Sequence, residues 1–107
     1  MAEARAIAVL EAEGWTIRGR RVRTVAGEID IIAERAGLLV FLEVKTRSSL
    51  ADAAAALSAK QRTRLLQAAE ILLAEHPEWG REGIRFDVIV IDRRGALRRI
   101  SNAFREE

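Results

Sequence analysis

Apolar and polar positions alternate with a period of two in several stretches of this chain, and they recur with a helical period in others. Trp15 and Ile17 alternate with Thr16 and Arg18, so residues 15–25 are expected to form a strand. Between Gly27 and Arg47 the pattern predicts two strands joined by a turn at Ala36-Gly37. Ile29, Ile31 and Ala33 alternate with Asp30 and Ile32 on the first, and Val40, Leu42 and Val44 alternate with Phe41, Glu43 and Lys45 on the second. From Ile84 to Ile91 both alternating sets are largely apolar, which predicts an interior strand covered on two sides. A turn at Arg93-Arg94-Gly95 leads to an edge strand over residues 96–100.

Helical spacing marks residues 2–13, where Ala6, Val9 and Leu10 form a stripe with Ile7 beside it and Gly14 as the stop. It marks residues 58–75 as well, with Leu65, Leu66, Ala69, Leu72 and Leu73 on one face, until His76-Pro77 ends the helix. The alanine-rich residues 51–59 are expected to make a short helix, residues 77–83 a loop in which Trp79 covers the core edge, and residues 102–107 a short or frayed helix. The order of elements predicts an α/β (α+β sandwich) architecture, a central mixed β-sheet flanked by helices. At 107 residues, with no repeat and no linker, the whole chain reads as one domain.

Composition narrows the chemistry. There is no cysteine, which excludes disulfides and thiolate metal sites, and one histidine, which argues against a His-rich metal site or a Ser-His-Asp triad. No apolar run has the roughly 20 residues of a membrane helix. The N-terminus carries acids and arginine in place of a signal peptide's apolar core, so a cytoplasmic protein with no membrane partner is expected. A net charge of +2 does not itself announce nucleic acid. Of 18 basic residues only Lys45 and Lys60 are lysines, which suggests positions where a compact, titratable point charge is wanted.

If the two strands of residues 27–47 pair, Asp30 approaches Glu43, and Glu43 shares a strand face with Lys45. Two carboxylates and an ammonium on one sheet face would suit Mg²⁺, which takes one or two carboxylates together with water and substrate phosphate. Glu28 would lie at the rim. Arg18, Arg20, Arg21 and Arg23 read either as a charged edge strand that discourages aggregation or as phosphate contacts. Lys60, Gln61 and Arg64 at the start of the second long helix, with Arg47, read either as solvated polar surface or as a basic border to the same cleft. Glu3, in the first turn of the first helix, reads by itself as a partner of the helix dipole.

Asp30 followed by Glu43-Val44-Lys45 resembles the signature of the restriction-endonuclease-like (PD-D/E-x-K) nucleases. The blocks GEIDIIA and VFLEVKTR are more narrowly similar to the YraN-type family of small bacterial proteins. Glu3, Ala6, Leu10, Gly14-Trp15, Arg23, Lys60 and Arg85-Phe86-Asp87-Val88 fall on that family's pattern too. At position 21 the pattern has asparagine where this chain has arginine, and Phe-Gly after the Lys-Thr-Arg block is replaced by SSLADAAAALS. The resemblance implies a restriction-endonuclease-like fold, similar to Holliday-junction resolvases. It implies Asp30 and Glu43, with the Val44 carbonyl, as Mg²⁺ or Mn²⁺ ligands, Lys45 as the group that positions water and offsets phosphate charge, and Glu3 as a further catalytic acid. It further implies a metal-dependent endonuclease acting on branched or structured DNA. Paired cuts would require a homodimer. The alternatives are a non-catalytic nucleic-acid-binding module on the same fold and a non-enzymatic interaction domain whose polar cluster is an ordinary buried ion pair.

Overall fold

The computed structural model describes residues 2–50 and 57–103. The elements run α1 (Ala2–Ala12), β1 (Thr16–Thr24), β2 (Gly27–Arg35), β3 (Leu38–Thr46), α2 (Ala59–Glu75), β4 (Gly83–Ile91) and β5 (Leu97–Ile100). The strands form one mixed sheet in sequence order, β1-β2-β3-β4-β5. All neighbours are antiparallel except β3 and β4, which are parallel and are joined through α2. This is the α+β architecture that the alternation predicted, and it is consistent with a restriction-endonuclease-like fold.

Each helix covers one face. Ala6, Ile7 and Leu10 of α1 are buried with Ile31, Ala33, Val40, Leu42, Ile89 and Ile91. Leu65, Ala68, Ala69 and Leu72 of α2 are buried with Ile32, Leu39 and Phe41. On β3 the two apolar sets interleave one residue at a time, so the central strands bury side chains on both sides, as the near-continuous apolar runs of β3 and β4 require. The stripes are rotated slightly from those predicted. Ile7 is buried where Val9 was expected, and Leu66 is 42% exposed because Ala68 takes its place against the sheet.

Local chemistry fixes the boundaries. Ala36 (φ 52) and Gly37 (φ 82) both take the left-handed backbone that a tight two-residue hairpin needs. Ser58 caps α2: its hydroxyl accepts from Gln61 N–H at 3.1 Å, and the Gln61 side chain accepts from Ser58 N–H at 2.9 Å. His76 ends α2 and stacks on Trp79 with ring centroids 3.8 Å apart. Trp79 packs against the edge of the α2 cluster, as expected of a loop residue covering the core. Residues 101–103 form a turn, and Asn102 has φ 56, so no helix begins there. The rest of that expected helix, and most of the alanine-rich one, lie outside the described residues.

The first strand pair shifts register between Ile17 and Gly19, and farther along it lacks one pairing without a further shift. Register runs Arg20↔Ile31 and then Val22↔Ile29, with no pairing of Arg21 to Asp30 between them. Arg21 has φ 48. Strict alternation puts Ile29 and Ile31 on one face, yet Ile31 packs under α1 and Ile29 under α2. The strands exchange faces at Arg21 and Asp30, which corrects the simple alternation expected for residues 27–35.

Asp87 is the one buried charged residue described, at 2% exposure. Arg85, two positions away on the same strand face, donates to both of its oxygens at 2.9 and 2.8 Å, and Asn102 N–H donates to Oδ1 at 2.9 Å. Truncating one member of such a pair strands the other without its partner. Asp87→Ala is therefore expected to lower the unfolding free energy by about 3–5 kcal/mol, measured by urea denaturation. A loss below about 1 kcal/mol, the range of a surface pair, would show that the contact is not a structural tie.

Candidate metal centre and nucleic-acid interface

The hairpin β2–β3 brings together the residues that the sequence singled out. Its ladder ends at Ile31↔Leu42, which leaves Asp30 and Glu43 at the next opposed positions. There the Asp30 side chain takes over from the main chain: Val44 N–H donates to Asp30 Oδ2 at 2.8 Å. Glu43 lies close enough to Asp30 for the two carboxyl groups to share a proton. Lys45 follows two residues after Glu43 on the same face, and Arg64 reaches toward Glu43 from α2. Gly27 opens β2 beside Arg64, and its φ of 150 is a backbone conformation that suits glycine.

The floor beneath the acids is apolar. Glu43 lies beside Val88 and Lys45 beside Val90, and both valines are buried. Phe41, the preceding residue on that face of β3, is buried too. Burial raises the Glu43 pKa first, the hydrogen bond to Asp30 and its negative charge add to the rise, and Lys45 and Arg64 partly oppose it; the outcome is about 8. Two carboxylates this close are eased by either a proton or a cation between them.

The donor set fits a hard divalent ion in composition. Both side chains offer oxygen, and no thiol or imidazole competes. Among the described residues no group of three or more His, Cys, Asp or Glu gathers at one point, so any ion would take the rest of its shell from water, main chain or a bound phosphate. Glu3 stays outside this pair: it faces Arg21, whose Nε lies 3.5 Å from Glu3 and 4.0 Å from Glu28.

The basic residues divide into groups. On β1, Arg18 pairs with Glu34 at 2.9 Å and Arg23 with Glu28 at 3.4 Å, so with Arg21 three of the four arginines there face carboxylates. Arg20 is exposed on the same strand. Gln61 spends its side-chain oxygen on the cap of α2, while Lys60 and Arg64 are exposed in its first two turns, and Arg64 acts on Glu43. Arg47 lines an open cavity of about 350 Å³ with Thr46, Ser48, Asp92 and Arg93, at the C-terminal ends of β3 and β4.

Sequence reasoning passed over two features. One is the apolar floor of Val88 and Val90, which only the parallel β3–β4 register reveals. The other is the Arg85–Asp87 tie, signalled by opposite charges two apart in a strand.

The family model described as "Uncharacterised protein family UPF0102" matches residues 2–91. A UPF0102 protein of Granulibacter bethesdensis is 60% identical over 104 residues, covering 97% of this chain and 66% of that protein. This chain thus spans just under two thirds of that relative's length. A UPF0102 protein of Azorhizobium caulinodans is 51% identical over 106 residues, 99% of this chain and 81% of its own. One from a Bradyrhizobium species is 46% identical over 103 residues, 96% of this chain and 73% of its own.

Because Glu43 holds its proton more tightly folded than unfolded, it stabilises the fold fully below its ordinary pKa of about 4.5. That contribution is lost as pH rises through about 8. Without divalent ions, Tm is expected to fall between pH 5 and pH 8.5 by more in the wild-type chain than in Glu43→Gln, measured by differential scanning fluorimetry across pH. Parallel curves for the two proteins would contradict the assignment.

Proposed function

The chain belongs to the uncharacterised protein family UPF0102, and from that premise and its paired acids we propose that it is a Mg²⁺- or Mn²⁺-dependent endonuclease. The observation that carries the reading is the contact of Asp30 with Glu43 on the sheet face that Lys45 and Arg64 share. Phosphodiester hydrolysis forms one P–O bond from water and breaks one to a sugar oxygen. It needs positive charge where the phosphorane's charge develops and a held water in line with the leaving group.

Asp30 and Glu43 would hold the ion, with the Val44 carbonyl as a further oxygen. When bound, the ion would polarise a phosphoryl oxygen and lower the pKa of water. Asp30 is fixed by the Val44 N–H, so one ligand is oriented before any ion arrives. The Lys45 ammonium would donate to the attacking water or to a phosphate oxygen and offset its charge. Arg64 and Lys60 would receive the phosphates on either side. Glu3 would act only after leaving Arg21. Branched or structured DNA is the substrate class we favour. Symmetric incision of such a substrate would need two sites, which a two-fold homodimer supplies.

The second reading is a non-catalytic nucleic-acid-binding module. It is favoured by the lack of a three-acid group among the described residues, since many metal-dependent hydrolytic sites need more side-chain ligands.

Cleavage of branched, single-stranded and duplex DNA in Mg²⁺ or Mn²⁺ separates the two. Glu43→Gln and Lys45→Ala are each expected to reduce cleavage by about 10²–10³ while binding persists. Binding should weaken with salt in proportion to the phosphates contacted. Metal-independent binding with no cleavage of any substrate would select the module.

A further inference from the structure

We propose that Arg21 is a positioning residue for the paired acids, acting through its left-handed backbone and not through its guanidinium. The inference rests on reading Asp30 and Glu43 as the cation site. A non-glycine residue with positive φ inside a strand is an outlier, and the surrounding structure must impose it. Arg21 has φ 48 in the middle of β1, opposite Asp30, at the position where the β1–β2 pairing is missing.

The consequence is local and specific. In a continuous ladder Val44 N–H would seek a main-chain carbonyl on β2. Instead it is met by the Asp30 carboxylate at 2.8 Å, one position beyond the last regular β2–β3 pair. The strands exchange faces at this same point, with Ile31 under α1 and Ile29 under α2. A regular residue at position 21 would restore the Arg21–Asp30 pairing and pull Asp30 back into plain alternation. Its carboxylate would then stand off the sheet and leave the Val44 amide. The Arg21 side chain is 67% exposed and lies between Glu3 and Glu28 at 3.5 and 4.0 Å, contacts that do not themselves reach Asp30.

Four substitutions separate backbone from side chain, because all remove the guanidinium. Arg21→Gly and Arg21→Asn accept the left-handed conformation; Arg21→Val and the milder Arg21→Ala resist it. In the metal-free chain, hydrogen exchange of the Val44 amide is expected to be about tenfold faster in R21V and R21A, as for loss of one hydrogen bond to a charged acceptor. The Arg47 amide, which donates to Ile91 at 3.0 Å, serves as the control and should be unchanged. R21G and R21N should match the wild type at both amides. Mn²⁺ affinity should follow the same order, falling about tenfold or more in R21V and R21A. Undisturbed Val44 protection in R21A, or equal loss in R21G and R21A, would overturn the proposal. Wild-type chain that takes up no Mn²⁺ would remove the cation reading, while the exchange pattern would still decide the role of Arg21.

Discussion

The contact between the carboxyl groups of Asp30 and Glu43 is the constraint on which the site depends. Two acids in reach of each other over an apolar floor cannot both carry full negative charge without a compensating positive one. In the metal-free chain a proton on Glu43 meets that need, helped by Lys45 and Arg64. Each surrounding element keeps the contact in place. The hairpin turn at Ala36-Gly37 sets the register, the parallel β3–β4 pairing lays Val88 and Val90 beneath, and the first turns of α2 bring Arg64 alongside.

Charge on the rest of the surface is distributed differently. The arginines of β1 are largely matched by Glu3, Glu28 and Glu34, so the edge strand is less positive than its sequence suggests. Exposed pairs of this kind add little to stability. They do determine which cations face a phosphate chain without first giving up a partner. Among the described residues, Arg64 on α2 acts on Glu43 with no carboxylate pairing of the kind that engages Arg18, Arg21 and Arg23, which favours a nucleic-acid path on the α2 side of the sheet.

Much of this was legible in the sequence. Alternation in residues 27–47 gave both strands and their turn, and the expectation that Asp30 nears Glu43 if the strands pair agrees with a ladder ending at Ile31↔Leu42, one position before them. The blocks GEIDIIA and VFLEVKTR pointed to the family that the comparison established. What alternation could not express was the face exchange at Arg21 and Asp30, because a period of two presumes an unbroken ladder. One hint was present: the asparagine that the resemblance expects at position 21 is a residue that tolerates left-handed backbone, the conformation found there. Glu3 illustrates the opposite limit. Its place in the first turn of α1 was clear, but whether it faced the acids or a guanidinium depended on how α1 crosses the sheet.

The most direct measurement is an anomalous difference map from crystals of this chain grown with Mn²⁺ above the Glu43 pKa of about 8. One peak shared by the Asp30 and Glu43 carboxylates, with Lys45 facing the open side, is the result this account predicts. An empty map at that point, with the two carboxyl groups side by side and no ion between them, would contradict it.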